Sequence, residues 1–190
     1  MSIYPGFAYG VLLLVVAAAA WTDVKTGLVP NRLTYPAVLL GLLYWPLVGL
    51  FPGDHPSAWA LCQSAWLGML AGLVPFAVLV LSGGLGGGDM KLMAAAGAWS
   101  ASWQVVLSTT VYALLVAALM AAFVMVRRGV VKQTLARVFS AALLARHRLK
   151  ADPSPDGATV PFAAAVAVGA AVAGAEQMLG LQTPWRSFGP

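Results

Sequence analysis

The chain has 190 residues, 61% of them hydrophobic and 9% charged, with a formal net charge of +5. A soluble domain carries about 25% charged residues, and one of this size could not bury so much apolar surface in a single core. The composition therefore excludes a water-soluble globule and makes lipid the solvent for the outer faces. The single cysteine, Cys62, excludes an internal disulfide framework and a four-cysteine zinc site. It reads as a small buried hydrophobe. In so apolar a chain the basic excess reads as a topology signal, so no nucleic-acid partner is expected. No metal or cofactor is expected either: neither His55 nor His147 stands at metal-ligand spacing from a cysteine or carboxylate.

Apolar runs and their breaks predict an all-α integral membrane protein with about six transmembrane helices. The first span is about Gly6–Trp21. It ends in a run of alanines, but no Lys or Arg precedes it, so it reads as a retained span and not a cleaved signal peptide. The second is about Asn31–Leu50 and the third Ala60–Leu81. A fourth, short one runs from near Asp89 to about Ser100. The fifth is about Trp103–Val126 and the sixth about Val160–Leu179. Most spans match a hydrocarbon core about 30 Å thick at 1.5 Å rise per residue. The fourth crosses only if it extends into its flanking loops. The tryptophans fall mostly near span ends, where interfacial anchoring is expected.

The loops carry the topology. Ten of the eleven Lys and Arg residues fall on loops one, three and five, and only Arg186 on the other side. The positive-inside rule then places those loops in the cytoplasm and both termini outside. The location expected is a cell inner (cytoplasmic) membrane. Within a single domain spanning residues 1–190, residues 127–158 form a basic segment. Val131, Leu135, Val138, Phe139 and Ala142 recur at helical spacing there, which predicts an amphipathic helix on anionic membrane lipids, followed by a Pro/Asp/Gly linker.

Acidic residues in or beside the spans are few: Asp23, Asp89 and Glu176. An ionisable group in a span is costly and reads as functional by default. Glu176, near the outer end of the last span, either reaches the interface or contacts another helix. Asp23 and Asp89 lie at cytoplasmic ends of spans, at one depth. Asp23 is followed by Lys25, Gly27 and the Pro30–Asn31 pair, where Pro30 can open a helix. Asp89 follows five glycines within residues 83–88, including Gly86, Gly87 and Gly88. So many glycines cost chain entropy. They serve either as a hinge or as a backbone that must approach a substrate or second helix closely. Two carboxylates in contact cannot both ionise, so one keeps its proton. The ionised one can take a proton from water while the other polarises a carbonyl, which is aspartyl proteolysis.

D-V-K-T-G-L-V-P-N at 23–31 and G-G-G-D-M-K at 86–91 resemble the two signatures of the type IV prepilin peptidase family, polytopic aspartyl proteases with a G-x-G-D motif. T-V-P-F-A at 159–163 is a third likeness. The resemblance implies that Asp23 and Asp89 are the catalytic pair, and that Gly86 and Gly88 let the Asp89 segment approach Asp23. It implies a prepilin-like substrate with a basic leader before a hydrophobic helix, cut at the cytoplasmic face. Lys25 and Lys91 match family positions, either as positive-inside anchors or as groups that tune the carboxylates. The larger bifunctional members carry an added region with paired C-x-x-C motifs and methylate the new terminus. This sequence resembles the compact form of tight-adherence (Flp-type) systems, so peptidase activity without methyl transfer is expected. Archaeal preflagellin peptidases are similar in size. Two other readings compete: a small proton- or cation-coupled transporter or channel subunit using the same aspartates, and a non-catalytic assembly scaffold.

Overall fold

The computed structural model describes residues 3–53, 55–83, 85–132, 136 and 161–180. Among the described residues the helices are α1 (Ile3–Thr26), α2 (Asn31–Val48), α3 (Ala58–Leu81), α4 (Gly87–Ser100), α5 (Trp103–Arg127) and α6 (Phe162–Leu179). Four of them, α1, α3, α5 and α6, are long and apolar enough to cross a membrane. Leu14, Leu47, Val78, Leu119 and many other large apolar side chains face outward. Such a surface suits lipid and not water. The two remaining helices differ. α2 carries Arg32 and two interior prolines, Pro36 and Pro46, and α4 has only 14 residues. The expected basic amphipathic helix within 127–158 lies largely outside the described residues.

The short α4 is the core of the bundle. Every residue from Leu92 to Ser100 is buried, and the helix packs against α1, α2, α3, α5 and α6. A helix apolar on all faces belongs inside. Enclosed by protein, it need not match the thickness of a bilayer. Its neighbours come close because they meet it with glycine. A Cβ placed at Gly68 or Gly72 of α3 would collide with the carbonyl oxygens of Gly97 and Met93, and one at Gly97 would strike the Gly68 carbonyl. Gly68 and Gly72 are four residues apart, so both face α4, the spacing that lets helices approach closely in membranes. α2 meets α4 at Gly41, where a Cβ would lie 3.0 Å from that of Ala98.

Two tryptophans bind α2 to α4. The Trp45 indole N–H donates to the Trp99 carbonyl at 3.0 Å, and the Trp99 indole N–H donates to the Ala37 carbonyl at 2.8 Å. Both rings are buried, so these two are not the interfacial anchors the sequence predicts, although Trp21 and Trp59 are exposed. The reason is the place of Trp99. Its carbonyl is among the last four of α4 and has no partner within its own helix. Trp45→Phe keeps most of the ring and orphans that carbonyl. The expected cost is about 1–3 kcal/mol, read as a lower Tm in detergent.

The turn between α4 and α5 takes two residues, as the sequence predicts near Ala101. Ala101 adopts the left-handed conformation (φ 46°), and the Ser102 hydroxyl accepts from the Val105 N–H at 3.4 Å. Glu176 contacts another helix: the Tyr112 hydroxyl of α5 donates to it. His55, which reads from sequence as a solvated loop residue, is half-buried, with its ring edge-on to Tyr4 at 6.0 Å.

Candidate active site

α1 runs five residues beyond its expected end at Trp21, so Asp23 and Lys25 lie in its last turns and not in a loop. The alanine run and the following residues all tolerate a helix, and nothing stops it before Gly27. There the backbone turns left-handed (φ 68°), with the Gly27 N–H donating to the Asp23 carbonyl at 2.8 Å, a common glycine-ended stop. Loop one is then only residues 27–30. Pro30 is the N-cap of α2 in an extended conformation, and its carbonyl accepts from the Leu33 and Thr34 N–H groups.

Asp89 stands third in α4. Gly86 is the N-cap (φ −76°, ψ 143°), and Gly87 and Gly88 form the first turn and not part of a loop. Asp89 accepts a hydrogen bond from the Gly86 backbone N–H, and the charge of Asp23 acts on it. Both carboxylates are half-buried. Two helix ends, one from each signature segment, thus place Asp23 where its charge acts on Asp89, 66 positions away in sequence.

Of Gly86, Gly87 and Gly88, the last makes the close approach. A Cβ there would lie 3.0 Å from the Val29 Cβ and 3.4 Å from the Val29 carbonyl oxygen. A side chain there would require Val29 to give way by a few tenths of an ångström or more. At Gly87 nothing lies within 4 Å, and at Gly86 the nearest atom, Asp89 Oδ2, is at an ordinary 3.4 Å.

Both lysines rest on aromatic rings. Lys25 Nζ lies 4.1 Å from the centroid of the Trp21 ring, and Lys91 Nζ lies 4.7 Å from that of Tyr35 while donating to Asn31 Oδ1 at 2.7 Å. Asn31 therefore ties the start of α2 to the first turns of α4. The sequence missed one contact of the site. The Ala163 backbone N–H, in the first turn of α6, donates to Asp23 Oδ2 at 3.0 Å. The partners are 140 positions apart, and a backbone donor leaves no residue-type signal; only the proline-containing segment at 159–163 pointed nearby.

Residues 10–126 match the model of the type IV leader peptidase family. This covers more than half of the chain, both aspartates included, and the chain belongs to that family. It is also 35% identical over 115 residues to the prepilin leader peptidase/N-methyltransferase of Aeromonas salmonicida strain A449 and to the protein of the same name from Aeromonas salmonicida. Each match covers 55% of this chain and 36% of the relative, so the matched stretch is about a third of the length of those relatives. No solved structure matches the chain.

Proposed function

We propose that this chain is a membrane-embedded aspartic endopeptidase that removes the leader of type IV or Flp-type prepilins at the cytoplasmic membrane face. One observation carries the reading: Asp23 and Asp89, the half-buried acids of the two signature segments, lie near enough for the charge of Asp23 to act on Asp89, in a chain of the leader peptidase family. The ionised carboxylate takes a proton from a water, whose oxygen attacks the scissile carbonyl. The protonated partner donates to the carbonyl oxygen. Collapse of the tetrahedral intermediate breaks the C–N bond, and a proton passes to the leaving amine. Neither step needs a metal or a covalent intermediate.

The basic residues support an orientation with the aspartates facing the cytoplasm and six crossings, α2 and α4 included, both termini lying outside. The expected substrate carries a basic leader before a hydrophobic helix, so the scissile bond lies at the rim where the aspartates stand. Only the peptidase step is assigned here, not the methyl transfer that the name of the Aeromonas relatives adds.

The test is incubation of the purified protein in liposomes with a prepilin-like substrate. The expected product is the substrate minus its leader, with no added methyl mass. No cleavage of any such substrate, together with proton flux across the vesicles, would replace the peptidase by the transporter. The close approach at Gly88 adds a graded expectation. Gly88→Ala asks Val29 to give by a few tenths of an ångström, whereas Gly88→Val displaces the start of α4 and Asp89 with it. Misplacement of a reacting group by about 1 Å can cost roughly 10²-fold, so cleavage falls modestly in the first variant and at least about tenfold in the second.

A further inference from the structure

Asp23 lies three residues from the C-terminal end of α1, where its own helix disfavours a carboxylate. The compensating group comes from elsewhere. The N-cap before α6 is Pro161, which offers no side-chain cap, and no acidic residue stands in the first turn. Its free N–H at Ala163 is instead satisfied by Asp23 Oδ2, a cap supplied by another helix. The donor is held in place. Ala163 is fully buried, and Phe162 beside it packs on the ring of buried Phe76 of α3, 6.0 Å between centroids. α6 also packs along α1 and touches α4. The family match ends at residue 126, before α6 begins.

We propose that the first turn of α6 is a positioning element of the aspartate pair: the Ala163 N–H holds Oδ2 of Asp23, fixing the rotamer that presents the other oxygen to water. The inference rests on the peptidase reading above. Ala163 is a positioning residue, since its N–H touches the carboxylate and not the substrate. Asp23 is aligned by a contact that binding of substrate need not create, so losing it should affect turnover and not affinity.

Two changes remove this N–H. Ala163→Pro does so in a first turn, where proline is tolerated. A backbone ester at position 163 does so with the alanine side chain kept. Ala163→Gly keeps the N–H and removes the methyl. In the liposome cleavage assay, the proline and ester forms are expected to lose roughly 10–100-fold in kcat, the range for a hydrogen bond to a charged group, with KM within about twofold. The glycine form should keep kcat near wild type. Wild-type kcat in the ester form overturns the inference. So does an equal loss in the glycine form, because the side chain and not the N–H then matters. If the proline form does not fold, the ester decides. Asp23→Asn separates the two levels. Cleavage surviving Asp23→Asn sinks the dyad itself. A dead Asp23→Asn beside a fully active ester sinks only the role of Ala163.

Discussion

Asp89→Asn and Asp23→Asn are each expected to lower prepilin cleavage by roughly 10²–10⁴-fold, the usual contribution of a positioned acid or base, with the helical fold retained. An amide can neither take a proton from water nor share one with its partner, so either change alone disables both roles. Retention of the fold follows from how each carboxylate is held. Asp23 accepts one backbone N–H, from Ala163, and an asparagine carbonyl accepts it equally well. Asp89 stands in the first turn of α4 and accepts from Gly86. Its replacement by asparagine forfeits a helix-dipole interaction of about 0.3–1 kcal/mol. Alanine is a poorer test at position 23. Asp23→Ala removes the cap of α6 as well as the acid, adding a structural loss of about 0.5–2 kcal/mol. The check is a timed cleavage assay beside a thermal melt of each variant. Full activity in either asparagine variant with wild-type stability would remove that residue from the mechanism. The pair logic also makes the pH–rate profile bell-shaped, since one carboxyl must be protonated and its partner ionised.

What could be read from the sequence is uneven for physical reasons. Apolar runs placed all six helices to within a few residues, because breaks such as Phe51–Ser57 and Ser82–Gly86 interrupt the hydrophobic pattern sharply. The end of α1 departs from the expectation because the run of apolar residues stops at Trp21, while the helix stops only where Gly27 supplies a positive φ. Hydropathy reports contact with lipid and not backbone geometry. Shared depth and the family resemblance lead to the expectation that Asp23 pairs with Asp89, and in the structure both are half-buried with the charge of Asp23 acting on Asp89. The sequence treats the glycines only as a group, as a hinge or as a close approach. Whether Gly86, Gly87 or Gly88 meets a neighbour depends on helix phase, and the structure singles out Gly88. Trp45 and Trp99 sit near helix ends, where an interfacial belt is the simplest reading. That they face inward depends on long-range partners, the Trp99 carbonyl at the end of α4 for Trp45 and the Ala37 carbonyl of α2 for Trp99. The link from Ala163 to Asp23 is between backbone and side chain across the whole chain, and no local pattern encodes it.

The glycines of the α3–α4 contact carry the second large effect. Gly97→Val is expected to prevent accumulation of a folded protein, or to leave one that melts well below wild type and does not cleave. A Cβ at Gly97 would meet the Gly68 carbonyl oxygen and lie 2.8 Å from the Met69 nitrogen. These are backbone atoms of a packed helix, with no rotamer to move aside. Overpacking a core typically costs about 1–3 kcal/mol even where side chains can yield, and a rigid backbone gives less. The only relief is separation of α3 from α4. That also loosens α4 from the helices that enclose it, and α4 carries Asp89 at its start. Stability and activity should therefore fall together. Gly41→Ala provides the comparison. Its Cβ would stand 3.0 Å from the Ala98 Cβ and from Cδ1 of Trp99, so part of the strain falls on side-chain atoms and the loss should be smaller. Thermal melts in detergent beside cleavage rates decide the matter. A Gly97→Val protein with wild-type Tm would show that α3 and α4 can part at little cost, and the enclosure of α4 would then not be what fixes Asp89.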